Sequence, residues 1–319
     1  MRMRNLIIGL TFTGALAILG SSTTHAAPLD PQQVPKDPKW VIHFDADQTK
    51  TSTVGSAIID EVLARPDTQQ GLDMLLRLAG FSFPNDLHGV TLYGDAFGEE
   101  HNVVLVHGTF DSNRVLGVLE LAPSYTNEIY GDREVVSWED KGKTMYGSFL
   151  RNDLIAIARS ADLVKRAADV LDKKAETMAP LAGAVPAKDA GVLMYVEGRG
   201  LAELAKTQQA SPAMANVESA WITMGENADK QLFAKGHVEA PDAQRAQRLL
   251  RAAEGIRAIV SMKAAEADAD DRLQMADELL TKLKLSQTEQ GVDLSFETPA
   301  EKVVEAIKSQ VLRRPAAVK

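Results

Sequence analysis

The chain has no cysteine. That excludes disulfides, cysteine-ligated zinc, a thiol nucleophile and a lipid anchor on a processed cysteine, so stability must come from the core alone. Positive charge is also short: 35 Lys and Arg stand against 44 Asp and Glu, a formal net charge of -9. Such a chain is a poor partner for nucleic acid or an anionic membrane surface. The apolar run Leu6 to Gly20 is broken by Thr11 and Thr13 and is short for a spanning helix, which needs about 20 residues. Catalytic signatures are missing as well. There is no Gly-x-Ser-x-Gly, no Ser-x-x-Lys with support at a helix start, no HExxH, no phosphate loop and no EF-hand. Gly198-Arg199-Gly200 lacks the third glycine of a dinucleotide fingerprint and reads as a turn.

What is present begins with an export signal. Met1 to Asn5 is basic, Leu6 to Gly20 apolar and Ser21 to Ala26 small and polar. That order predicts a secretory signal peptide over residues 1–26, cleaved near Ala26, and a periplasmic or extracellular mature chain with no stable membrane span. With 45% hydrophobic and 25% charged residues the remainder has a globular composition. Four prolines between Ala27 and Lys39 predict an extended linker over 27–39. Pro180, Gly183 and Pro186 mark a second linker over 173–190.

Between and after these linkers, one element order is written twice. The first half, 40–172, starts with a strand Trp40 to Asp45. A helix from about Ser52 follows, stopping before Pro66, then one capped by Asp67 with Gln70 three residues on. Strands Val90 to Gly94 and Asn102 to His107 precede a helix capped by Asp111. Three strands follow between Glu134 and Arg159, and Ser160 opens the last helix. The second half, 191–313, repeats the pattern with strands at 191–196, 219–224 and 231–238, a long helix opened by Pro241-Asp242, and a strand running into Thr298-Pro299-Ala300-Glu301. Residues 314–319 form a tail. Val41-Ile42-His43-Phe44 corresponds to Val192-Leu193-Met194-Tyr195. The fold class this predicts is α+β: two similar ferredoxin-like, split-βαβ halves with a mainly antiparallel sheet and helices on one face.

The most chemically suggestive stretch is His43-Phe44-Asp45. His43 and Asp45 share a strand face, and a split-βαβ sheet sets the first and third strands side by side, which brings in His107. His43, Asp45 and His107 are therefore a candidate metal site for a metal-dependent hydrolase. The second half argues against it, because Val192, Met194 and Val196 occupy the equivalent face and mark it as buried. The acidic run Glu266 to Asp271 lacks calcium-loop spacing and reads as a solvated connection. The arginines at 245, 248, 251 and 257 are placed to pair with it.

At Leu87 to Gly94, Val103 to His107 and the strand-to-helix stretch Asp153 to Asp172, the chain resembles a type of exported bacterial protein built from two similar α+β repeats. That resemblance implies no activity, cofactor or catalytic residue. The reading is a non-enzymatic exported binding protein without a cofactor. Its partner is an envelope protein, a second copy or an apolar small molecule, and a carrier of lipid is an alternative.

Overall fold

The computed structural model describes residues 28–184, 191–204, 212–266 and 271–312. The segment 1–26 read as a signal peptide, the tail 314–319, part of the second predicted linker and most of the acidic run lie outside them. The chain divides into two compact units that part between Pro180 and Leu181.

The first unit contains β1 (Trp40–Asp45), α1 (Ala46–Thr51), α2 (Thr53–Leu63), α3 (Pro66–Ala79), β2 (Leu87–Gly94) and β3 (Asn102–Gly108). These are followed by α4 (Ser112–Leu119), β4 (Thr126–Tyr130), β5 (Arg133–Asp140), β6 (Lys143–Arg151), β7 (Leu154–Ala158) and α5 (Ala161–Leu171). Local chemistry sets the helix starts. The Asp45 side chain accepts from Gln48 N, Ser52 from Gly55 N and Asp111 from Arg114 N, each satisfying an orphan amide of a first turn. α2 ends at Leu63, before Pro66 as expected, and Pro66 itself occupies the first turn of α3, where its missing N–H costs nothing; Asp67 sits inside that turn without capping it, the cap position being Arg65. Gly80 closes α3 in the left-handed conformation, φ 69°.

The strand order is β1-β2-β3-β7-β6-β5-β4, with every neighbour antiparallel. This corrects the split-βαβ expectation. Taken in order the first three strands form a meander, with β2 between β1 and β3 and antiparallel to both: α1, α2 and α3 connect β1 to β2, and the short loop 95–101 connects β2 to β3. The helices are not confined to one face either. Phe44, Val90, Leu92, Val104 and Val106 pack with residues of α2, α3 and α4 on one side. A bulge between Leu87 and Gly89 turns Leu87 to that side. On the other side Val41, His43, Asp45, Thr91, Tyr93, Val103, Leu105, Ala156 and Ala158 are all buried. There α5 covers β3, β6 and β7 with Val164, Ala167, Ala168 and Val170.

Neither predicted linker is a free spacer. Val34 is fully buried, its carbonyl accepts from Met178 N, and Lys36 N donates to Glu176 O. A strap of residues 28–39 thus pairs with residues 176–178 beside α5. Pro31 opens a short 3-10 turn, Pro31–Gln33, capped by Asp30, and the backbone after it is left to pair with residues 176–178.

The second unit contains β8 (Val192–Arg199), α6 (Leu201–Leu204), β9 (Ser219–Glu226), β10 (Gln231–Glu239), α7 (Ala243–Ala264), α8 (Asp271–Lys282), β11 (Lys284–Gln287), β12 (Gly291–Pro299) and α9 (Ala300–Leu312). Its strand order, β8-β9-β10-β12-β11, is again antiparallel throughout. Asp242, following Pro241, caps α7 by accepting from Arg245 N at 2.8 Å. The core here is thin. Among the described residues the fully buried apolar set is Ala184, Tyr195, Val217, Ala240, Ala246, Val292 and Ala300.

Replacing Val34 by Asp puts a charge where no water reaches, so the strap must release or the carboxyl must neutralise. The expected loss is about 3 kcal/mol or more. Urea unfolding followed by circular dichroism measures it, and a loss below about 1 kcal/mol would show that the strap is dispensable.

Candidate functional site

The three residues singled out by sequence do not converge. His43 faces Thr91 across β1 and β2, with its Nδ1 2.9 Å from the Thr91 hydroxyl. Asp45 faces Gly89, and Gly89 faces His107. Asp45 and His107 therefore occupy one row of one sheet face but stand two strand spacings apart, about 10 Å. Ligand bonds near 2 Å cannot bridge that span around one ion. Among the described residues no group of three His, Cys, Asp or Glu is arranged to hold a metal. The prediction needed β3 next to β1, and the meander separates them.

His43 and Asp45 are held by hydrogen bonds within the sheet and at its end. Asp45 caps α1, and its backbone carbonyl accepts from the Thr49 hydroxyl at 2.7 Å. Burial pushes its carboxyl up to about 6, against the pull of the Gln48 amide. His107 goes the other way: burial, helped by Arg151, lowers its imidazole to about 4. Next to them Asp47 binds Lys50 Nζ at 2.8 Å and His88 Nδ1 at 3.0 Å. His88 Nε2 lies 3.2 Å from the Thr109 hydroxyl, and Lys50 also reaches the Leu87 carbonyl at 2.7 Å. This network ties the start of α1 to the end of β2.

The second unit repeats the row in different residues. On β8, Tyr195 and Glu197 are almost fully buried, and Tyr195 faces Thr223 as His43 faces Thr91. Glu197 faces Trp221, and Trp221 faces His237, matching the sequence Asp45, Gly89, His107. A bulge between Val192 and Met194 shifts this register from the one expected, leaving Met194 and Val196 half-buried on the opposite face. Glu197 accepts from the Tyr195 hydroxyl, from Leu181 N at 3.2 Å and from Arg199 Nε at 2.5 Å. The Tyr195 hydroxyl is pushed well above its ordinary range by burial and by that carboxylate. The Thr223 hydroxyl donates to Ala184 O, so residues 181–184 lie over this face.

His237 bridges two carboxylates, with Nδ1 2.7 Å from Asp293 and Nε2 2.6 Å from Glu239. Burial opposes its protonation, but the two carboxylates outweigh burial and raise it. Sequence reasoning passed over Tyr195, Glu197 and His237. The available signal was the shared alternation of an aromatic or imidazole side chain with an acid, His43-x-Asp45 and Tyr195-x-Glu197, hidden by aligning the strands one residue out.

Two other features stand out. An open cleft of about 550 Å³ in the first unit is lined by Asp30, Gln33, Arg151, Lys173, Glu176 and Thr177. Two of its charges are already engaged, Arg151 by Asp153 and Glu176 by Lys36. In the second unit the sheet face opposite Glu197 is aliphatic. Met194, Val196, Ile222, Met224, Leu232, Leu294 and Phe296 share it, and all are half-buried. The helices α7, α8 and α9 meet the sheet at β11 and β12.

No protein-family model matches the sequence, and no curated protein matches it. Among solved structures, the crystal structure of TP0453 in crystal form I aligns with a TM-score of 0.43 and 9% identity, covering 89% of this chain and 98% of that one. A likeness at that level carries no argument about this chain. Its α+β architecture and antiparallel pairing stand on its own coordinates. Among the described residues no helix is long and apolar enough to cross a membrane.

The two buried titrations predict opposite pH slopes. Asp45 favours the native state below about pH 4 and loses that advantage as pH rises through about 6. Asp45→Asn keeps a capping side chain and removes the buried charge. It is expected to stabilise the protein at pH 7 by up to about 3 kcal/mol and to do nothing near pH 3. His107 contributes above pH 6.5, and its contribution disappears as pH falls through about 4. His107→Gln should therefore flatten the loss of stability between pH 6.5 and 4. Denaturant midpoints measured across this range decide both, and parallel curves for variant and parent would refute them.

Proposed function

We propose that this is an exported, non-enzymatic binding protein made of a duplicated α+β unit, and that its second copy binds an apolar small molecule. The matched strand orders and the repeated row of buried acid and histidine support the duplication. The basic, apolar, small-residue start of the sequence supports export. One observation carries the ligand class: the aliphatic face of β8, β9 and β10 remains half-buried, while helices cover β11 and β12. Apolar surface left partly wet gains about 25 cal/mol for each Å² that a ligand covers. The polar groups of both units favour binding over catalysis. Asp45, Asp47, His88 and Glu197 are occupied by caps, ion pairs and strap contacts.

Titration of the mature chain with anilinonaphthalene sulfonate, an apolar fluorescent probe, tests the reading. Saturable binding is expected, and Met224→Asp should abolish it while far-ultraviolet circular dichroism stays unchanged. Absent binding, or binding indifferent to that substitution, sinks the reading.

A further inference from the structure

An imidazole can serve two carboxylates at once only when it carries two protons. A neutral ring donates from one nitrogen and presents a lone pair at the other, and a carboxylate only accepts. His237 on β10 stands in that position. Its Nδ1 lies 2.7 Å from Asp293 of β12 and its Nε2 2.6 Å from Glu239 on its own strand. The imidazolium alone satisfies both contacts. A Cβ at Gly291, the first residue of β12, would stand 2.5 Å from Cε1 and Nε2 of the ring and 2.7 Å from Val238 O. The ring therefore occupies space that a side chain at Gly291 would need.

The charges around the ring come from few places. On its own strand Glu239 faces it, while Lys235 sets its Nζ over the Phe233 ring, 6.0 Å from the centroid. β12 brings Asp293, with uncharged Gly291 and Ser295 to either side. β9 presents Ser219, Trp221 and Thr223 on this face, and beyond it Glu197 of β8 is held by Tyr195 and Arg199. On β11 Ser286 faces Asp293, and Lys284 faces Ser295. The covering residues 181–184 are Leu, Ala, Gly and Ala. The hydrogen bonds to the helices, from Lys282 to Thr298 and from Gln287 to Ala243 O, belong to the opposite face.

We propose that His237 is a proton-operated clasp: charged, it fastens the start of β12 to β10 between Asp293 and Glu239, and on losing one proton it releases one of the two. A carboxylate then faces a lone pair at hydrogen-bond distance, so either it swings into water or the ring turns away. What loosens is the edge of the sheet. β11 is the terminal strand of its unit, runs only from Lys284 to Gln287 and pairs with β12 alone. The two carboxylates outweigh burial and raise the proton affinity of the ring. By linkage the fastening is fully present below the ordinary histidine value of about 6.5 and is lost as pH rises through the raised one. The clasp lies on the sheet face opposite the aliphatic one and does not rest on the ligand proposed there.

Nuclear magnetic resonance of the mature chain reads the clasp directly. The His237 Cε1–H signal, assigned by its absence from His237→Gln, is expected to titrate with a midpoint above about 6.5. Asp293→Asn and Glu239→Gln, both at partly exposed carboxylates, should each lower that midpoint, and the pair should lower it furthest. Amide hydrogen exchange reads the edge, and comparing parent with His237→Gln at one pH cancels the intrinsic exchange rate. At about pH 5.5 the β11 and β12 amides of the parent should be about three- to tenfold better protected, the range that two partly exposed ion pairs supply. About 1.5 units above the measured midpoint, where few rings remain charged, the difference should vanish. A midpoint at or below about 6.5 would overturn the proposal. So would a midpoint indifferent to both carboxylate substitutions, or a protection difference that is the same on both sides of it.

Discussion

A carboxylate that leaves water must find hydrogen bonds or give up its charge. Both units place an acid on the buried side of their first strand, Asp45 in one and Glu197 in the other, and the surroundings are arranged to receive it. The two solutions differ. Asp45 is received by the first amides of α1, which turns off the strand end immediately after it. Glu197 is received by Tyr195 and Arg199 on its own strand and by the amide of Leu181 at the start of its own unit. In the first unit the helix start depends on the acid, and in the second the placement of residues 181–184 does.

From that common row the units diverge in packing. The first covers one sheet face with α5 and a proline-bearing strap and the other with α2, α3 and α4, so side chains from Val34 to Leu154 are withdrawn from water. The second meets its helices at β11 and β12 and leaves the aliphatic side of β8 to β10 half-wet.

Much of the architecture was legible in the residues. Strand β1, the helix starts near Ser52 and at Asp242, the cap at Asp111 and the glycine stop at Gly80 follow from local chemistry, and each stands where the sequence reading put it. The helix end before Pro66 was read correctly, but the cap of α3 was placed at Asp67 because a proline begins a helix as readily as it ends one, and here it moves the start to Pro66 itself. α1 was missed because six polar and small residues after Asp45 carry no apolar stripe. The candidate site failed for a longer-range reason. Whether β3 neighbours β1 depends on strand order, and alternation within a strand is identical for a meander and for a split-βαβ sheet.

Composition and periodicity alone therefore determined the exclusion of thiol chemistry, the α+β class and the alternation that makes one face of β1 buried. These depend on residue type and on spacings of two and of three to four, which belong to the chain itself. Tertiary structure decided that His107 stands two strands from Asp45, that a one-residue bulge turns Tyr195 and Glu197 inward in place of Met194, and that prolines make straps instead of spacers. Register and strand order are set by pairings between distant segments, and a shift of one residue exchanges the two faces of a strand without altering a single letter of its pattern.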